Sequence, residues 1–208
     1  TKEAIKLSDP DLVFHLAAES HVDKSILNPQ NFIANNIVGT FNLLEAIKLH
    51  WQKLSIDRKI QFRLLHVSTD EVFGSLERDE LFTENSPYDP RSPYSASKAA
   101  SDHLVKAWYF TYGLPVIITN SSNNFGPWQF PEKLIPLTIF NGINNKSIQI
   151  YGNGLNIRDW IFVEDHIFYL FNIILKGRIG ESYCIGGCQQ KSNNQIVDII
   201  CTLLDKKN

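Results

Sequence analysis

The chain has 208 residues, of which 43% are hydrophobic and 20% charged, and its formal net charge is −2. This composition is ordinary for a globular protein that is long enough to bury a sizeable core. The small charge gives no reason to expect nucleic acid or an anionic membrane as a partner, and no apolar run approaches the roughly 18 residues of a membrane span.

The cysteine and histidine content argues against a metalloprotein or a disulfide-rich protein. The three cysteines include no Cys-x-x-Cys pair, and the six histidines show no metal-ligand spacing. We therefore expect no metal and a cytoplasmic location.

Strand and helix patterns alternate along the first 122 residues. A short apolar run that ends in small residues is typical of a buried strand, and apolar residues at a spacing of three or four are typical of a helix. In chain order the patterns predict a strand at 11–18, a helix at 30–51, a strand at 62–68, a loop at 84–93, a helix at 94–112 and a strand at 116–120. This alternation predicts an α/β protein with a doubly wound parallel, Rossmann-like sheet.

The remaining residues follow a looser pattern, rich in Gly, Pro and Asn. We expect helices at 133–142 and 164–176 and an amphipathic segment at 195–204. The predicted organisation is a Rossmann domain over 1–122 and a smaller, mixed α/β substrate lobe over 123–208. A strand near 182–186 is expected to return to the main sheet.

Tyr94 and Lys98 are spaced for one face of a helix, since they lie four residues apart. Bringing a tyrosine pKa from about 10 to near 7 requires roughly 4 kcal/mol. One cation at about 4 Å supplies an interaction of that order. Tyr94 is thus expected to act as a base toward an alcohol, with Lys98 tuning it, and the adjacent Asp70 and Glu71 offer a second acid and base.

Polar motifs follow three predicted strands, at 17–20, 68–71 and 120–124. Ligands of doubly wound sheets bind beyond the carboxyl ends of the strands. We therefore expect these motifs to contribute to one site.

Several motifs together resemble those of a known family. They are HLAAESHVD at 15–23, STDEVFG at 68–74, SPYSASK at 92–98, NNFGP at 123–127, PEKLIP at 131–136 and RDW at 158–160. In these motifs the chain resembles the extended short-chain dehydrogenase/reductase family, and most of all its nucleotide-sugar 4,6-dehydratases. The resemblance implies dTDP-glucose as substrate and NAD as cofactor.

The resemblance also implies residue roles. Tyr94, tuned by Lys98, would deprotonate the C4 hydroxyl of the sugar, and Thr69 would orient O4. Glu71 would remove the C5 proton, and Asp70 would protonate the departing C6 hydroxyl. Residues implied to contact NAD are Leu16, Ala17, Ala18, Glu19, Ser20, Asn35, Tyr94, Lys98 and Asn124. Residues implied to hold the nucleotide sugar are Ser20, Thr69, Asn123, Lys133, Leu134, Gln149, Tyr151, Arg158 and Asn193.

The chain departs from the family pattern at its start, because the Gly-rich phosphate loop is absent. We therefore expect that roughly 60 to 80 residues precede this segment in the whole protein. Two alternatives stay open. One is a related NAD-dependent 4-epimerase or decarboxylase, which would not need the Asp70-Glu71 pair. The other is an inactive module that dimerises, as relatives do, through the helices near 30–51 and 94–112.

Overall fold

The computed structural model describes residues 1–76, 80–150 and 152–205. Its strands are β1 Leu12–His15, β2 Arg63–Thr69, β3 Val116–Ser121, β4 Asn123–Phe125, β5 Ile157–Phe162, β6 Ser182–Ile185 and β7 Gln190–Ser192. Its α-helices are α1 Lys2–Ser8, α2 Val22–Leu27, α3 Pro29–Phe32, α4 Gly39–Trp51, α5 Ile56–Gln61, α6 Pro93–Tyr112, α7 Leu134–Ile143, α8 Val163–Lys176 and α9 Asn193–Asp205.

Strands β1, β2, β3 and β6 form a four-stranded parallel sheet in the order β1-β2-β3-β6. Every residue of β3 is buried, as expected for a strand covered on both faces. The core beside it joins apolar residues of the sheet to α4 and α6, namely Leu44, Ile47, Leu64, Val105 and Val116. This arrangement confirms the predicted α/β, Rossmann-like fold.

The described chain divides into two units. Unit 1 contains Thr1–Ser121 and Tyr169–Ile185, and so includes the whole parallel sheet. Unit 2 contains Ser122–Phe168 and the residues from Gly186 onward. In unit 2, β4 pairs in parallel with β5, β5 pairs antiparallel with β7, and α7 packs against α9.

Three local features differ from the sequence prediction. Helix α1 precedes the first strand and was not predicted. The strand expected at 11–18 ends at His15, and residues 16–20 are exposed and do not belong to the sheet. The helix expected at 30–51 is interrupted by a π-helical turn, Ile33–Val38, which lies between α3 and α4.

Candidate active site

The first part of the site is the turn that follows β2. Thr69 ends the strand and caps a 3₁₀ turn over Asp70–Phe73. Its hydroxyl accepts a hydrogen bond from the Glu71 N–H at 3.2 Å and donates to Asp70 Oδ1 at 3.3 Å. The strand end therefore fixes the predicted triplet Thr69-Asp70-Glu71 through local hydrogen bonds.

The second part is the N-terminus of α6. Ser92 and Ser95 form a reciprocal capping box, and Pro93 occupies the first turn. Tyr94 follows directly and is 8% exposed, while Lys98, one turn later, is 4% exposed. Strong capping therefore fixes the backbone of the helix turn from which the Tyr94 side chain projects.

The electrostatics around Tyr94 differ from the sequence expectation. Burial raises the pKa of the phenol, and the charge of Glu71 raises it further, whereas a hydrogen bond with Thr69 lowers it. Burial also lowers the pKa of Lys98, whose Nζ donates to the Val67 carbonyl at 2.9 Å. The structure does not show the expected lowering of the Tyr94 pKa by Lys98. Burial and the nearby carboxylates raise this pKa instead.

The loop after β1 forms the third part. Residues 16–20 are exposed, and the loop is held at Glu19 by a buried side chain of the π-helical turn, Asn36. Asn36 also donates to the Ser97 hydroxyl at 2.8 Å, which connects this loop to α6. Single π-helical turns are frequent at functional sites.

A cavity of about 430 Å³ lies beside this loop. Its lining includes Ala17, Ala18, Glu19 and Asn35, four of the residues implied to contact NAD. Ala17 and Ala18 have small side chains and Gly39 has none, so a ligand can approach the backbone closely. Unit 1 therefore offers a chemically suitable surface for part of a dinucleotide.

Sequence reasoning missed several buried polar residues, in particular Asn36, Ser97, Ser101 and Asp102. On α6 they continue a stripe that begins at Tyr94, with residues at 94, 97, 98, 101 and 102. This spacing is that of a buried helix face, normally apolar. Polar residues at each of these positions were a signal that could have been read from the sequence.

In unit 2, Asn123 and Asn124 lie in β4 and pair with Trp160 and Ile161. The Asn124 side chain donates to the Ser122 carbonyl at 3.2 Å, and its Oδ1 atom is buried without a hydrogen-bond partner among the described residues. A free, buried acceptor of this kind suits a ligand that brings a donor.

The other implied substrate residues of unit 2 lie on four segments of the chain, at 133–134, 149–151, 158 and 193. Lys133 caps α7 and Leu134 begins it, both half-buried, whereas Gln149 is exposed outside the helices and strands. Tyr151 lies outside the described residues.

Arg158 lies in β5, and Asn193 begins α9 directly after β7, the strand that pairs with β5. Arg158 is exposed and stands opposite Lys191 in the antiparallel register. The Asn193 N–H, at the start of α9, donates to the Asn156 carbonyl at 3.2 Å. Like charges in opposite register positions repel each other, and an anion between them relieves the repulsion. The Arg158–Lys191 pair therefore suits a phosphate group.

Neither a metal centre nor a membrane span is found in the described ranges. No cluster of three or more His, Cys, Asp or Glu side chains there could hold a metal ion. No described helix combines the length and apolarity that crossing a membrane requires.

Comparison with known proteins gives consistent matches along the chain. A family model described as GDP-mannose 4,6 dehydratase matches residues 1–208. A dTDP-glucose 4,6-dehydratase of Neisseria meningitidis serogroup B is 57% identical over 198 residues, which are 95% of this chain.

Solved structures give the same picture. A dTDP-glucose 4,6-dehydratase from Bacillus anthracis in complex with NAD is 44% identical with a TM-score of 0.85, and covers 98% of this chain. One from Streptomyces venezuelae, with NAD and TYD bound, is 40% identical with a TM-score of 0.89, and covers 99%. The chain spans 56% of the Neisseria sequence and 60% and 61% of these two structures, less than two thirds of each.

Proposed function

Because the chain belongs to the GDP-mannose 4,6 dehydratase family, we propose that it carries the catalytic machinery of an NAD-dependent hydro-lyase acting on dTDP-glucose. The product would be the 4-keto-6-deoxy sugar nucleotide. The 57% identity to a dTDP-glucose 4,6-dehydratase supports this substrate over that of a 4-epimerase or a decarboxylase.

The observation that carries the proposal is the grouping of Thr69, Asp70 and Glu71 with Tyr94. Thr69 hydrogen-bonds to Tyr94, and the charges of Glu71 and Asp70 both act on its phenol. Dehydration needs a base for an alcohol, a base for a C–H bond and an acid for a leaving hydroxyl. One phenol and two carboxyl groups near each other meet that requirement.

In the proposed reaction each group moves one proton. In its ionised form, Tyr94 takes the proton of the C4 hydroxyl on its phenol oxygen, while Thr69 orients O4. Glu71 removes the C5 proton, which the neighbouring ketone has made acidic, and Asp70 gives a proton to the C6 hydroxyl as it leaves as water. The two carboxyl groups need opposite protonation states, which their different surroundings must maintain.

When bound, NAD would accept a hydride from C4 and return it to C6. Residues proposed to hold it in unit 1 are Leu16, Ala17, Ala18, Glu19, Ser20, Asn35, Tyr94 and Lys98, and in unit 2 Asn124. The cavity beside residues 17–19 supports this assignment.

In unit 2, we propose that Asn123, Lys133, Leu134, Gln149, Tyr151, Arg158 and Asn193 hold the nucleotide part of the substrate. The guanidinium of Arg158 can bind a diphosphate in bidentate fashion. Ser20 and Thr69 are proposed to contact the substrate in unit 1.

We also propose a cytoplasmic homodimer that forms through α4 and α6. Exposed apolar side chains on both helices support the interface, including Phe41, Leu49 and Phe110. Sedimentation of the Phe110→Arg variant tests it, because a buried charge at this position should shift the mass from dimer to monomer.

The deciding experiment incubates the complete gene product with NAD and dTDP-glucose and follows the 4-keto-6-deoxy product by mass and alkaline absorbance. We expect product from the wild type and from the control Tyr112→Phe on an exposed position of α6, but not from Tyr94→Phe. A C4 epimer in place of the dehydrated product, or no product from folded protein, would contradict the proposal.

A further inference from the structure

Asp102 is a fully buried carboxylate in the third turn of α6. Its Oδ2 atom accepts hydrogen bonds from the Ser68 hydroxyl at 2.9 Å, the Tyr88 hydroxyl at 3.1 Å and the Asn120 amide at 3.2 Å. The His66 Nε2 atom lies 3.1 Å from Oδ1. A charge with no access to water is costly unless it is paired and hydrogen-bonded, and here several donors converge on it.

The donors belong to different elements, and each element leads to the candidate site. Ser68 is the residue before Thr69 at the end of β2. Asn120, near the end of β3, also donates to the Thr69 carbonyl at 3.2 Å. Tyr88 lies in the loop that leads to α6, whose first turn carries Tyr94. One carboxylate thus ties together the elements that hold the proposed acid and bases.

Asp102 also lies one helical turn after Lys98, so the two side chains share a face of α6. Its charge favours the protonated form of Lys98 against the effect of burial. Burial, followed by the charges of His66 and Lys98, lowers the pKa of His15 to about 3, and burial lowers that of His66. Both histidines are therefore neutral near pH 7, and Lys98 is the basic group of this cluster whose protonated form Asp102 favours.

Other titratable groups also face this cluster. Tyr88 and Tyr94 both feel the charge of Asp102, and burial raises the pKa of each. Cys184, with a pKa raised to about 11 by burial and then by the charges of Glu84 and Asp70, acts on Tyr88. Burial therefore favours the neutral forms of Tyr88 and Cys184, and the other acidic groups around the cluster are Asp70, Glu71 and Glu84.

We infer that Asp102 is a positioning residue for the dehydratase reaction, an inference that rests on the function proposed above. Its carboxylate fixes the ends of β2 and β3 beneath Thr69, Asp70 and Glu71, and it supplies the negative charge that balances Lys98. Asp102 touches no reacting atom in this role and acts through Ser68, Asn120 and Lys98.

The first test uses Asp102→Asn in the complete gene product, because the amide keeps the side chain's shape and removes its charge. We expect kcat to fall at least tenfold while KM stays within about twofold. The pH profile of kcat should move to lower pH, since the lost negative charge had raised the pKa of both Tyr94 and Lys98. The control is Thr119→Val in β3, which removes a buried hydroxyl that has no partner among the described residues, and should behave as wild type.

A second readout needs no turnover. The ¹³Cε signal of Lys98, assigned by its absence in Lys98→Arg, should titrate at lower pH in Asp102→Asn than in wild type. This titration decides the charge-balancing role even if the wild type makes no dehydrated product, in which case the proposed function alone would fail. A folded Asp102→Asn protein with wild-type kcat and an unchanged Lys98 midpoint would overturn the inference.

Should Asp102→Asn not fold, Ser68→Ala and Tyr88→Phe decide the positioning role. Each removes one donor and leaves the charge in place. We expect kcat to fall two- to tenfold at unchanged KM, with no movement of the Lys98 midpoint. Wild-type kcat in both variants would rule out the positioning role.

Discussion

Asn36 binds both polar groups of Glu19's backbone with one side chain. Its Oδ1 atom accepts from the Glu19 N–H at 2.8 Å, and its Nδ2 atom donates to the Glu19 carbonyl at 3.0 Å. Asn36 itself is 1% exposed and lies within the π-helical turn. The position of the exposed loop 16–20 is therefore set by a buried residue that lies 17 positions after Glu19 in the chain.

Replacing Asn36 by Ala should weaken NAD binding about tenfold and destabilise the protein by roughly 1–3 kcal/mol, because the Glu19 backbone and the buried Ser97 hydroxyl lose their hydrogen bonds. Titration calorimetry and urea unfolding measure the two effects. Asn42→Ala, on the exposed face of α4, is the control and should change neither. NAD affinity equal to wild type in Asn36→Ala would show that the loop does not depend on this contact.

An isotope experiment should distinguish the roles of the Asp70 and Glu71 carboxyl groups. Glu71→Gln is expected to abolish deuterium uptake from solvent at C5, whereas Asp70→Asn should retain uptake and still lose roughly 10²–10⁴ in dehydration rate. Asp57→Asn, at an exposed position of α5, serves as control. If both variants exchange C5 equally well, Glu71 is not the C5 base.

Arg158 should contribute to substrate affinity more than to turnover. Loss of a charge-assisted pair costs roughly 1.5–3 kcal/mol, so Arg158→Gln should raise KM for dTDP-glucose about 10- to 100-fold with kcat little changed. Arg178→Gln replaces another exposed arginine, in unit 1, and should leave KM unchanged. A KM for Arg158→Gln within twofold of wild type would remove this residue from the substrate site.

His15 should make the protein less stable in mild acid. Its folded pKa, about 3, lies below the unfolded value of about 6.5, so the unfolded chain binds a proton first as pH falls. The contribution of neutral His15 is present above pH 6.5 and is lost toward pH 3, with a slope of roughly 1.4 kcal/mol per pH unit. Urea unfolding between pH 7 and 5 should show a shallower slope in His15→Asn. The exposed His103→Gln is the surface control, and equal slopes in wild type and His15→Asn would contradict the prediction.

Substituting Gly74 and Gly113 compares a glycine at which an added Cβ would clash with one at which it would not. Both have positive φ, 88° and 71°, but a Cβ at Gly74 would lie 2.7 Å from the Asp89 carbonyl oxygen, whereas Gly113 has open space around it. Gly113→Ala should cost about 1 kcal/mol and keep activity. Gly74→Ala should cost more and reduce kcat, because the turn Asp70–Phe73 must shift. Equal stability and kcat in the two variants would argue against this coupling.

The sequence was most informative where local pattern and tertiary packing agree. The apolar periods of β2, β3 and α6 predicted elements close to those observed, and the fold class was predicted correctly. The π-helical turn could not be predicted, because it depends on Asn36 meeting Glu19 and Ser97 across the fold. The raised pKa of Tyr94 was missed for a related reason, since the spacing to Lys98 reveals a cation and not the burial that opposes it. The assigned roles of the site residues remain predictions.

Unit 1 is made of two stretches of chain that are separated in sequence, and this separation affects how the protein folds during translation. Strand β6 pairs with β3, yet Ser182 leaves the ribosome roughly 60 residues after its partner Ile118. At about 5–20 residues per second, the first three strands must wait roughly 3 to 12 s for the last one. During that interval the far edge of β3 is an open template for another chain, so newly made protein is most exposed to mispairing before translation reaches β6.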